Sequence, residues 1–185
     1  ISNFSQTWTS NYNEEVVYGR IDPIPTFSNT TRTISFTLDL VSPTTTTFKL
    51  LNATKASDTP KLLARANSIK VGRLARMCYP AYEGSTAGDF NITTLKAPPL
   101  VKIRYSNLIC GESSEDFLIA YLKSMNVSFQ TEQLAFVTTS RVIDYKKMSL
   151  ALEFGVLHNF EVGHDSAGNE KAPNYPFRFK RPNQG

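Results

Sequence analysis

The stretch YGRIDPIPTFSNTTRTISFTLDLVSP, Tyr18–Pro43, decides the fold. In its second half Ile34, Phe36, Leu38 and Leu40 alternate with Ser35, Thr37 and Asp39. A period of two is that of a strand with one buried and one wet face. Thr31–Ser42 is therefore predicted as the best strand in the chain. Upstream, Asp22, Pro23 and Pro25 predict a turn, because each proline fixes its own φ and restricts the residue before it. Glu15–Ile21 is expected as a short strand leading into that turn. The β-branched polar run Thr44–Thr47 fits an edge extension and a loop equally.

A second stretch, PPLVKIRYSNLI at Pro98–Ile109, repeats the plan: a proline-marked entry, then Val101, Ile103 and Tyr105 in alternation. Further strands are expected at Phe90–Leu95, Leu100–Ile109, Phe117–Gln130 and Lys146–Asn159, the last carrying Leu150, Leu152, Phe154 and Val156 at the same spacing. One-sided burial belongs to antiparallel rather than doubly covered parallel sheets. The expected core unites Phe36, Leu38, Val101, Ile103, Leu152 and Phe154 against a helix.

That helix is predicted from Pro60 to Tyr79. Asp58 or Thr59 suits the cap, Pro60 suits the first helical position, and Pro80 closes the segment. Leu62, Leu63, Ala66, Ile69, Leu74 and Met77 form its apolar stripe, expected to face the sheet. Lys61, Arg65, Lys70, Arg73 and Arg76 occupy the remainder, with no acidic residue from Pro60 to Ala81. They form either a solvated face covering apolar surface with their stems or a contact with an acidic neighbour. Gly72 lowers helical propensity and marks a kink or close approach.

At 185 residues, 41% of them hydrophobic, the chain is long enough for one domain with a real core, or a domain plus arms. No apolar run approaches the ~18 residues that cross a bilayer, so no membrane partner is expected, and the amino terminus lacks the regions of a signal peptide. A formal charge of +4 is too modest and scattered to announce nucleic-acid binding. Cys78 and Cys110 are too few for a zinc site or disulfide framework; a single bridge and two unpaired thiols both remain open. Five Asn-x-Ser/Thr triplets, at Asn3, Asn29, Asn52, Asn91 and Asn126, would accept glycans in a secreted protein.

Both ends lack periodicity. Residues 1–17 are expected as an N-terminal arm, 18–160 as the β domain, and 161–185 as a basic, aromatic C-terminal arm, with the arms ordered against other molecules. Trp8, Tyr12, Tyr175, Phe177 and Phe179 are the expected assembly anchors, since aromatic side chains dominate such contacts. The terminal YPFRFKRP suits single-stranded nucleic acid and a protein groove alike.

No catalytic, metal or cofactor constellation is expected. His158 and His164 fit no zinc spacing even with Asp165 beside them. Glu112, Glu115 and Asp116 lack the spaced ligands and turn glycine of a calcium loop. Gly84, Gly88, Gly111 and Gly168 punctuate turns without making a phosphate-binding series. A G-x-S-x-G elbow is absent from the sequence. The chain reads as built to assemble, not as an enzyme.

Three local matches, Tyr18–Leu40, LARMCYPAYE at Leu74–Glu83 and APPLVKIRYSNLI at Ala97–Ile109, resemble the tail-tube-like domain of contractile-tailed phage baseplate proteins of the tube-initiator and hub-adaptor type. With the later strands the resemblance spans roughly Tyr18–Asn159. It implies a mainly β fold, an antiparallel β-sandwich or small barrel with one flanking α-helix. It also implies a hexameric ring of copies that lets the genome pass without specific binding, with neighbouring tail-tube or baseplate proteins as partners. The location implied is the virion tail, after assembly in the host cytoplasm. The helix cations Lys61, Arg65, Lys70, Arg73 and Arg76 are then expected at an assembly contact, away from the channel. The alternatives are a jelly-roll coat protein of a small virus, disfavoured by an N-terminal arm that is not basic, and a secreted glycosylated β-sandwich binding module.

Overall fold

The computed structural model describes residues 1–42, 59–83, 94–95, 97–111, 117–129, 136–137, 143–173 and 175–177. Among them the chain is mainly β, the make-up of a β-sandwich or small barrel with one helix. In order the elements are β1 (Ser2–Glu15), β2 (Ile24–Val41), α1 (Thr59–Arg76), β3 (Tyr82–Glu83), β4 (Thr94–Leu95) and β5 (Val101–Ile103). There follow β6 (Leu118–Phe129), β7 (Phe136–Val137), β8 (Ile143–Asp144), β9 (Lys147–Leu157), β10 (Gly163–His164) and β11 (Glu170–Lys171). One antiparallel sheet has the order β1-β2-β9-β6-β5, and β3-β4, β7-β8 and β10-β11 form two-stranded ladders. At the β5 edge the register sets Val101 opposite Ala120 and Ile103 opposite Leu118.

The residues fall into two compact units. In the first (Ile1–Ser5, Ser35–Pro99 and Leu122–Glu153), alternation buries Leu122, Met148, Leu150 and Leu152, together with Ala64 and Val71 of α1. Here β8, carrying the buried Asp144, lies against α1. The backbone N–H of Ser42 donates to Lys146 O at 2.7 Å, and Ser149 and Asp39 are hydrogen-bonded across the wet face. In the second (Gln6–Ile34, Leu100–Tyr121 and Phe154–Gly185), the interior holds Ile34, Ile109, Cys110, Leu118, Ala120, Phe154 and Val156. Its wet face includes a close approach: Gly155 lies beneath the Tyr121 ring, and a Cβ there would fall 2.3 Å from a ring carbon.

Several expectations are corrected. Of the expected core, Leu152 and Phe154 are buried, whereas Phe36, Leu38, Val101 and Ile103 are only half-buried. The strand expected over Leu100–Ile109 stops at Ile103. Beyond it Ser106 takes φ +50°, and the N–H groups of Leu108 and Ile109 turn back onto Tyr105 O, as a Ser-Asn pair favours. Pro25 lies inside β2 rather than in the turn, on a stretch with a wet edge where its missing N–H is tolerated. Of the strand expected at Phe90–Leu95 only Thr94–Leu95 lies within the described residues, as β4. Thr44–Thr47, Glu112, Glu115, Asp116, Gly84 and Gly88 lie outside them.

The arms differ as well. Ser2–Glu15 is a 14-residue strand on the sheet's edge. Its sequence shows no period because both of its faces are wet over most of its length. The described part of the C-terminal segment forms β10 and β11, Gly163 pairing with Lys171 and His164 with Glu170. Their turn is held by Asp165, whose carboxylate accepts the N–H groups of Ala167 and Asn169 at 2.9 and 2.8 Å.

Helix α1 runs without interruption through Gly72, where an added Cβ would meet nothing within 4 Å. The two glycines give opposite expectations. Gly155→Ala should lower stability by about 1–3 kcal/mol by displacing Tyr121, whereas Gly72→Ala should raise it by up to about 1 kcal/mol through helix propensity. Urea midpoints of the two variants beside the parent check both signs.

Candidate functional site

The parity that buries Ile34 also places Arg32 on the inward face of β2, and Arg32 is 1% exposed. A guanidinium taken out of water must be compensated by hydrogen bonds or a counter-charge. Its acceptor is an amide: Arg32 Nε and Nη2 donate to Gln6 Oε1 at 3.1 and 2.6 Å. Gln6 Nε2 in turn donates to Leu108 O at 3.0 Å. The guanidinium also sits over two rings, 5.4 Å from the Trp8 centroid and 5.1 Å from that of Tyr175. Trp8 Nε1 donates to the Tyr175 hydroxyl, and the Tyr175 ring meets His158 edge-on at 5.5 Å and Phe160 at 6.3 Å. Four separate stretches of chain gather around this one cation.

Burial pushes the Arg32 pKa down, opposed by nearby Tyr175 and Cys110. An arginine titrates so high that it keeps its charge. His158 is lowered too, by burial first and by Arg32 second, so neutral imidazole is the favoured form. Arg32 Nη1 and His158 Nε2 are buried without a hydrogen-bond partner among the described residues.

This clasp closes the root of a projecting ribbon. From Thr7 to Thr31 every residue except Pro23 is exposed, although most of the stretch belongs to β1 and β2. At about 3.3 Å per residue the paired segment beyond the clasp is roughly 30 Å long. Its two strands are joined across the face by Asn11 to Asn29 at 2.8 Å and by a Tyr12–Phe27 edge contact at 5.6 Å. The tip exposes Val16, Tyr18 and Ile21 almost fully.

The expected helix cations Lys61, Arg65, Lys70, Arg73 and Arg76 are all exposed. The apolar stripe assigned to the sheet is only partly turned inward, with Leu63, Ala66 and Leu74 half-buried. The buried side is Ala64 and Val71, flanked by half-buried Ser68 and Ala75, while Leu62, Ile69 and Met77 face solvent. Leu62, Arg65, Ile69, Arg73 and Arg76 follow spacings of three and four, a stripe opposite Ala64 and Val71. The small Ala64 lets the helix sit close on its neighbour, while Leu62 and Ile69 are left outside.

The expected arm anchors engage their own chain: Trp8 and Tyr175 each other, Tyr12 its ribbon partner Phe27. Phe177 is half-buried, and Phe179 lies outside the described residues. Cys78 is exposed and Cys110 buried, both unpaired. His164 is exposed in β10, apart from the His158 cluster. Arg32, Gln6 and His158 were missed as a group; the one signal that could have found Arg32 is its parity, as a cation in register with Ile34.

An open groove of about 260 Å³ in the first unit is lined by Ser35, Thr37, Asn126 and Glu153, among others. Glu153 there accepts from Lys123 Nζ at 2.8 Å and from Ser124 at 3.2 Å, and the Lys123 bond, with the Ser124 bond behind it, holds its carboxyl below the usual range. A carboxylate so engaged is a surface pair rather than an acid or base in waiting.

No model of a known protein family matches the chain, and no curated protein matches its sequence.

Trp8 is the sole tryptophan, so its emission reports the clasp directly. Arg32→Ala should red-shift that emission and lower stability by about 2–4 kcal/mol; Arg32→Lys should not restore it, because an ammonium cannot span Gln6 and both rings. The His158 contribution has a defined sign. With its folded pKa depressed, its stability is fully present above the ordinary imidazole value of about 6.5 and is lost as pH falls from there through the folded value. Denaturant midpoints between about pH 7 and 5 should fall in the parent and flatten in His158→Gln.

Proposed function

We propose that the chain is a structural virion protein of a phage tail or baseplate, forming a ring that continues or initiates the tail tube. The edges of its sheet carry this reading. Edge strands expose unpaired N–H and C=O groups and are normally shortened, charged or interrupted by proline. β5 obeys that rule, with three residues, Lys102 at its centre and Pro98 and Pro99 before it. β1 does not: it is 14 residues long and has no charge or proline before Glu14. An open edge of that kind is stable in solution when another copy covers it, and closed symmetric assembly covers every such edge at once. The resemblance of Tyr18–Leu40, Leu74–Glu83 and Ala97–Ile109 to tail-tube-like domains supplies the particular ring.

In that ring the genome passes without specific contact, the helix cations lie at subunit contacts, and neighbouring tail-tube or baseplate proteins adjoin it. Negative-stain images of the purified chain are expected to show rings of about six copies. Icosahedral shells would replace this reading with a coat protein, and compact monomers with a secreted binding module.

A further inference from the structure

Two exposed surfaces of this chain complement each other. The first is the ribbon tip, where Val16 is 85% exposed and Tyr18 and Ile21 fully so, a concentration of apolar area that water does not favour. Around it, Glu14, Glu15 and Asp22 stand against Arg20 alone, so the tip is apolar and acidic. The second is the outward face of α1, where Leu62 and Ile69, 43% and 50% exposed, are interleaved with Arg65, Arg73 and Arg76. That helix contains no carboxylate at all. Apolar and basic, it is the chemical counterpart of the tip.

We propose that the β1–β2 ribbon tip of one copy docks on the outward face of α1 in a second copy, Val16, Tyr18 and Ile21 covering Leu62 and Ile69 while Glu14, Glu15 and Asp22 meet Arg65, Arg73 and Arg76. The inference rests on the ring reading and names the contact within it. Charge complementarity selects the occupant: like charges turn tip from tip and helix from helix, so only the unlike pair is favoured. The apolar residues supply the affinity, and the charges supply register and encounter rate.

The test uses the full chain with a photo-crosslinking phenylalanine analogue in place of Tyr18, analysed by mass spectrometry beside sedimentation of charge variants. The expected crosslink joins position 18 of one copy to a peptide spanning Leu62–Arg76 of another. R65E/R73E and E14R/E15R should each weaken association by about tenfold or more, and an equimolar mixture of the two should recover most of it. Raising salt should weaken the parent contact. Rings whose Tyr18 crosslinks fall elsewhere would overturn this contact and leave the ring standing; monomers at every concentration would overturn both. Tight duplex-DNA binding at physiological salt that R65E/R73E abolishes would give the helix face to nucleic acid and overturn the docking as well.

Discussion

One buried cation holds the β1–β2 ribbon in place. A two-stranded ribbon in water is marginal on its own, since it has little apolar area to bury and two open edges. Here its root is locked where Arg32 takes Gln6 as acceptor and lies between the faces of Trp8 and Tyr175. Aromatic faces and an amide oxygen replace water without supplying a counter-ion, and the planar guanidinium suits both at once. The C-terminal segment is drawn in by the same contact, because Tyr175 brings it against His158 and Phe160. The contacts of Gln6 and Trp8 in β1 and of Tyr175 thus meet at one side chain in the middle of β2.

The fold was legible wherever burial is one-sided. Ile34 in β2, Leu118–Leu122 in β6 and Met148–Val156 in β9 show the alternation that antiparallel sheets impose; β6 and β9 appear close to their expected bounds, whereas β2 begins at Ile24 rather than at the expected Thr31. Order that rests on polar or single contacts left no such trace. β1 is wet on both faces, so no period could announce it; the β10–β11 turn depends on the Asp165 carboxylate, and Tyr175 on a cation more than a hundred residues away. The helix misled for a different reason. Spacing put Leu62, Leu63, Ala66, Ile69, Leu74 and Met77 on the inner side, but full burial went to Ala64 and Val71 while Leu62, Ile69 and Met77 stayed exposed. The cluster around Arg32 was readable only as an anomaly of parity.

The wet surfaces therefore carry more meaning than the interior. Exposed cations on a helix are common and individually worth little. A helix that leaves Leu62 and Ile69 exposed among those cations is less common and calls for a covering surface. The same applies to a ribbon whose tip exposes Val16, Tyr18 and Ile21 beside carboxylates. Both features are exposed among the described residues.

The two edges of the sheet also differ in kind, one long at β1 with no charge before Glu14, the other three residues long with a lysine at its centre. Copies joined through such unlike edges all point the same way round, because a two-fold axis would have to bring β1 against β1. An assembly made in that manner has handedness and direction built into the monomer, so a clockwise and an anticlockwise observer would meet different surfaces.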